Sequence, residues 1–262
     1  MKHVKFLTVC LIGIAAMGAS FAEKLSQKEA ETLLKKADAT TSFADTDFAA
    51  NYTIVQDKPG QGKSSREVVM YRRDSANTYT ILIQAPAADK GKGYFQVDNG
   101  IWYYDPKDSQ FIFTSAKEKF EGTNINNSDF APQRYSKDYK IVSAETVKLG
   151  SLNCVLFELE AQVNDVAYPK VKLWVSKDDG LTRKREDYSA SGQLLRTTAI
   201  PSYQKFKNRS VPEKMLLVDN LRGKKIDGKM QYEKTQVTIT NVSFAKQKDS
   251  VYSKKYIESM SK

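Results

Sequence analysis

The chain has 262 residues, with 41 Lys or Arg against 31 Asp or Glu, for a net charge of +10. Its one histidine, His3, and one of its two cysteines, Cys10, fall inside a leader-like start, which leaves Cys154 alone in the rest. That inventory excludes a histidine general base, a histidine-bearing triad, a histidine metal site and an intramolecular disulfide.

Residues 1–22 follow the pattern of a secretory leader. Lys2 and Lys5 precede the apolar run "FLTVCLIGIAAMGA", and Ser20 and Ala22 supply small residues for a cut after Ala22. Cys10 lies within the apolar run and not at the cut, so the chain is expected to be exported and soluble, without a lipid anchor. Removing the leader, with its two lysines, leaves 240 residues and lowers the charge from +10 to +8. That length suits one large domain over 23–262. The basic excess favours anionic membrane surfaces or acidic partners. Lysine scattered over a solvated surface is the plainer reading. No nucleic-acid motif is present, and no later apolar run is long enough to span a bilayer.

Residues 26–38, "SQKEAETLLKKAD", read as an amphipathic helix. Ser26 and Glu29 have capping-box spacing, and Ala30, Leu33, Leu34 and Ala37 share a face. Short strand-like segments follow at 47–56, 66–74, 77–86, 93–100, 101–105 and 110–115. Residues 116–135 are polar and turn-rich, with Phe120 and Phe130 embedded, a length between strands that marks a functional or mobile segment. Strand patterns resume at 139–149, 152–162, 170–177, about 181–190, 194–200, 213–221 and 234–244. About eleven or twelve strands are expected, antiparallel because no regular βα alternation is present. The last residues, "SVYSKKYIESMSK", read as a short helix or a frayed tail.

Most strands have one dry face. Tyr79, Ile81 and Ile83 oppose Thr78, Thr80 and Gln84, with Leu82 out of phase. Val155, Phe157 and Leu159 oppose Glu158 and Glu160, and Val171, Leu173 and Val175 oppose Lys170, Lys172 and Trp174. The hairpin "IWYYDPKDSQFIFTS" is apolar on both faces, so both must be covered. One helix covers only part of such a sheet. A strongly curved sheet around it encloses either a filled core or a ligand hollow, and the pattern alone favours the filled core.

No nucleophile elbow, phosphate loop or paired CxxC is present. Asp105/Asp108 and Asp178/Asp179 sit in turns, where aspartate caps backbone groups. The mixed charges of 183–188 suit a solvated edge strand. Cys154, in "LNCVLFELE", suits sheet packing. Neither an enzyme nor a cofactor is indicated.

The run "GIWYYDPKDSQFIFTSAKEKFEGTNINNSDFAPQRY" resembles the central signature of the outer-membrane lipoprotein-sorting proteins, the LolA/LolB-like group. The later run "YPKVKLWVSKDDGLTRKREDYSASGQLLRT" is also similar to that group, so the likeness covers roughly 45–245. The resemblance implies an α+β, mostly antiparallel fold: an incomplete, half-open β-barrel curved around lid helices, with a hydrophobic cavity. It implies a soluble periplasmic carrier that shields the acyl chains of lipoproteins or other lipids, taking them from an inner-membrane donor complex to an outer-membrane acceptor. A monomer is expected. On this reading Tyr79, Ile81, Ile83, Trp102, Phe111, Phe113, Val155, Phe157, Leu159, Leu173 and Val237 line the cavity, with Leu33, Leu34 and Phe130 on the lid. One face of 101–115 joins the inner wall, and the other touches the 116–135 loop or the 26–38 helix. No position matches the family's lid-latching arginine. The alternatives are an exported structural or partner-binding domain with a filled core, and a lipid hydrolase, against which the missing histidine weighs.

Overall fold

The structure is a computed structural model that describes residues 23–98 and 100–261. The leader and Asn99 of the expected turn before Gly100 lie outside the described residues. Helix α1 (Gln27–Ala39) comes first, and six strands follow: β1 (Phe48–Lys58), β2 (Gly62–Arg73), β3 (Thr78–Ala85), β4 (Gly93–Val97), β5 (Gly100–Asp105) and β6 (Gln110–Thr114). Residues 115–134 then carry only short helical turns, before the single turn α2 (Tyr135–Asp138). Seven more strands are β7 (Tyr139–Leu149), β8 (Leu152–Ala161), β9 (Lys170–Ser176), β10 (Thr182–Tyr188), β11 (Leu194–Phe206), β12 (Arg209–Ile226) and β13 (Lys229–Ser243). Helix α3 (Lys254–Met260) ends the described chain.

All thirteen strands join one sheet, in the order β6-β5-β4-β3-β2-β1-β13-β12-β11-β10-β9-β8-β7. Strands consecutive in the chain pair antiparallel, except β6 with β7, and β1 also pairs with β13, setting Tyr52 opposite Ile239 and Ile54 opposite Val237. The two unclosed edges are therefore β6 and β7, which the 115–138 segment connects. A half-open barrel results, with that segment spanning from one edge to the other. Each of the thirteen strands falls on a segment read from the sequence, one or two more than the eleven or twelve expected. Strands β12 and β13 also run further than the 213–221 and 234–244 patterns, meeting at a turn where Asp227 and Gly228 both have positive φ.

Inside the curve, two coverings share the work. The capping box forms at Ser26 and Glu29, and α1 buries Ala30, Leu34 and Ala37 against Val155, Phe157, Leu159, Val171, Leu173 and Val175 of β8 and β9. Over β1–β3, β12 and β13, the covering is Phe120, Ile125 and Phe130 of the 115–138 segment.

The outer face has its own cap. Leu82, out of phase in the sequence, packs there with Phe95, Tyr104 and the fully buried Ile257 of α3. Thr80, on the same face, donates to the Val251 carbonyl at 2.8 Å. Gly93 is required at this contact, because a Cβ there would lie 2.8 Å from the Ile81 carbonyl oxygen and 2.9 Å from Ile257. This corrects the expectation for the 101–115 hairpin. The C-terminal helix, not the 116–135 loop or α1, covers the part of its second face that carries Trp102, Tyr104 and Phe111. Trp102 and Phe111 pack into this outer cluster, with the Lys254 ammonium 3.5 Å from the Trp102 ring centre. Phe113 stays 62% exposed against Trp102.

Strand β10 is a second correction. Residues 183–188 do not form an edge, since β10 pairs with both β9 and β11. Its inward residues Arg185 and Asp187 are charged because they neutralise each other and their neighbours.

Candidate functional site

Where the 115–138 segment crosses the inner wall, a cavity of about 160 Å³ remains. Its apolar wall comes from Phe43, Tyr52, Met215, Leu217, Val237 and Ile239, and Ile125 and Phe130 close it from the segment's side. An apolar cavity of about 150 Å³ holds a benzene-sized molecule. In this arrangement the hollow is therefore too small for a long acyl chain unless the segment moves.

The segment is held mainly by polar ties. Arg196 of β11 donates to the Asn124 carbonyl at 2.9 Å and to both carboxylate oxygens of Asp129, at 2.5 and 3.1 Å. Its Nε donates to the fully buried Asp187 at 2.8 Å. Arg185 reaches Asp129 at 3.6 Å and the Gln133 side-chain oxygen at 3.2 Å. Burial pushes the Asp129 carboxyl up, but the Arg196 and Arg185 charges outweigh it and hold the group below the usual carboxylate range. Arg72 of β2 donates to the Phe130 carbonyl at 3.1 Å and to the Thr41 carbonyl at 2.7 Å, so one guanidinium spans both inner coverings. At the far end Lys119 pairs with Asp219 at 2.9 Å, and Asn124 accepts from Arg222 at 3.3 Å. The Asn124 N–H donates to Thr235 at 2.8 Å, and Thr235 in turn donates to Gln56.

The α1 covering is tied to this segment through Asp38, which accepts from the Tyr135 and Ser136 N–H groups at 2.9 and 2.8 Å. Its carboxyl is raised, chiefly by burial.

Of the residues expected to line a hollow, Val237 borders the cavity, and the expected lid residue Phe130 closes it. Tyr79, Ile81 and Ile83 belong to the same buried cluster, one layer away. Val155, Phe157, Leu159 and Leu173 lie on the inner face but are packed solid under Leu34, with Leu33 at the margin. Trp102, Phe111 and Phe113 stand on the outer face and do not join the wall, because register alternates sides and Ile101 and Tyr103 take the inward positions. The sequence reading missed Arg72, Asp129, Arg185, Asp187 and Arg196. The available signal was opposite charge at period two in "KRED", with Arg185 and Asp187 in phase.

Among the described residues, no group of three His, Cys, Asp or Glu could hold a metal ion, and no helix is long and apolar enough to cross a membrane. The free Cys154 is fully buried, and burial raises its thiol pKa.

An open antiparallel sheet wrapped around lid segments is the LolA-like fold, and three solved structures share it. A LolA superfamily protein from Nitrosomonas europaea aligns at 23% identity and a TM-score of 0.72, covering 87% of this chain and 98% of the other. An outer membrane lipoprotein-sorting protein domain from Vibrio parahaemolyticus aligns at 14% identity and 0.75, covering 87% and 97%. A DUF1329 family protein from Desulfovibrio piger aligns at 16% identity and 0.74, covering 88% and 98%. Residues 75–259 match the model of a family described as "Uncharacterized protein", and the chain belongs to that family. No curated protein matches it.

Proposed function

We propose that the protein is a soluble periplasmic carrier, which holds the acyl chains of lipoproteins or related lipids in the hollow beneath the 115–138 segment. It works without catalysis, between a membrane donor and an outer-membrane acceptor. The observation that carries this reading is the make-up of the covering. Phe120, Ile125 and Phe130 fill the inner wall with apolar side chains, while the backbone that bears them is held by ion pairs and hydrogen bonds.

Loading is then an exchange. Three large apolar side chains leaving the wall lose roughly 1.5–3 kcal/mol each. A long acyl chain entering gains about 0.8 kcal/mol per methylene, on the order of 10 kcal/mol in all. The two terms are of similar size, so cargo can displace the segment without becoming trapped. The polar ties add to the cost of opening, about 1 kcal/mol for each hydrogen bond that water does not fully replace. Release needs only an acceptor as apolar as the hollow. The fold shared with the lipoprotein-sorting domain from Vibrio parahaemolyticus supports the same reading.

The test is uptake of a fluorescent fatty acid, and of a triacylated lipopeptide, by delipidated protein. Stoichiometric uptake is expected, and Met215→Asp, in the cavity wall, should abolish it. Absence of uptake by the intact chain, or undiminished uptake by a folded Met215→Asp variant, contradicts the proposal and favours a filled structural core.

A further inference from the structure

Beyond the inner wall, strands β12 and β13 run on past their neighbours as a two-stranded hairpin. Residues 221–232, "LRGKKIDGKMQY", are exposed at every position except the half-buried Ile226. Three of the molecule's large exposed apolar side chains lie here: Leu221 at 53%, Met230 at 54% and Tyr232 at 36% exposure. The same stretch has four cations, Arg222, Lys224, Lys225 and Lys229, against one carboxylate, Asp227. Arg222 is held by Asp219 at 2.9 Å, whereas Lys224, Lys225 and Lys229 make no ion pair among the described residues.

The register sorts these side chains. Met230 stands opposite Lys225 and Tyr232 opposite Gly223, so Lys225, Met230 and Tyr232 share one face. Lys224 opposes Gln231 and Ile226 opposes Lys229 on the other. Gly223 is what lets the strands approach here, because a Cβ would lie 2.4 Å from the Gln231 carbonyl oxygen. The Lys224 side chain lies against Gly60 in the β1–β2 turn, which Lys58 of β1 and Lys63 of β2 flank.

We infer that this hairpin docks the protein on an anionic phospholipid bilayer. A strand pair with Met230, Tyr232 and Lys225 on one face and Lys224 and Lys229 on the other matches an interface entered tip first, in which apolar side chains reach the headgroup region and ammonium groups on both faces meet lipid phosphates. The charge is complementary and local: three unpaired lysines fall within six residues. The hairpin's base also holds the covering segment, through Lys119–Asp219 and Arg222–Asn124, so docking brings that segment to the bilayer. The inference does not depend on the cargo reading, since it concerns a surface outside the hollow.

The test is co-sedimentation of the full chain with vesicles of phosphatidylcholine alone, or of phosphatidylcholine and phosphatidylglycerol in equal parts, with no cargo present. Binding is expected to the anionic vesicles and not to the neutral ones. Reversing Lys224, Lys225 and Lys229 together to Glu should weaken it by at least about fivefold per lysine, on the order of a hundredfold or more in total. Met230→Ser with Tyr232→Ser should weaken it about tenfold and leave the remainder wholly salt-sensitive. Reversing Lys28, Lys35 and Lys148, exposed lysines elsewhere, should change it far less. Equal binding to neutral vesicles, or equal losses from the hairpin and control reversals, overturns the inference.

Discussion

The two coverings of the inner face are built on opposite principles. Helix α1 is pinned mainly by shape and grease: Ala30, Leu34 and Ala37 sit against Val155, Phe157 and Leu173. The 115–138 segment also packs Phe120, Ile125 and Phe130 inward, but it adds charge and hydrogen bonds from Arg72, Arg185, Arg196 and Thr235 and leaves a cavity beneath it. A packed apolar interface loses its full burial energy when parted from its partner in water. A covering with a cavity beneath it has fewer packing contacts to lose, and its polar groups regain water when they leave the wall. The half of the wall that can open is therefore the one whose covering leaves a cavity and is tied by polar groups, although the sequence makes the α1 half look just as greasy.

The largest expected effect tests the packed side. Phe157→Ala removes a fully buried ring beneath α1 and should cost about 3–5 kcal/mol of stability in urea unfolding. Arg196→Met leaves Asp129 and the buried Asp187 short of a partner and should cost about 3 kcal/mol. That variant should also raise amide exchange across 124–130, while 27–39 stays protected; equal loss in both would erase the distinction between the coverings. Phe130→Ser weakens the empty, closed state without touching the sheet wall. It should bind a fluorescent fatty acid about tenfold more tightly than the parent. The smallest effect belongs to Phe113→Ser on the outer face, which should leave uptake unchanged.

Acid offers a graded version of the same contrast. The Asp129 carboxyl is held below its ordinary range in the closed state. Its contribution is therefore complete above the ordinary aspartate value of about 4, and is lost as the pH falls through the lowered one. Protection of the 124–130 amides should fall in that window, and Asp129→Asn should flatten the dependence.

Much of this was legible in the residues. Period-two alternation located nearly every strand, and the Ser26–Glu29 spacing located α1. The hairpin 221–232 was not legible, because a strand pair with two wet faces has no apolar alternation to detect. The face of the 101–115 hairpin was misassigned for a related reason. With apolar residues on both sides, the pattern cannot say which side turns inward, and the answer came from Ile257, some 150 residues further on. The charged positions of β10 read as an edge because their partners, Asp129 and Arg196, come from other parts of the chain.

The most direct measurement is hydrogen exchange on the delipidated chain, with and without a triacylated lipopeptide. The account predicts that loading exposes the amides of 124–130 and leaves those of 27–39 as protected as before. Loading that exposes α1 instead, or that changes neither segment, would contradict it.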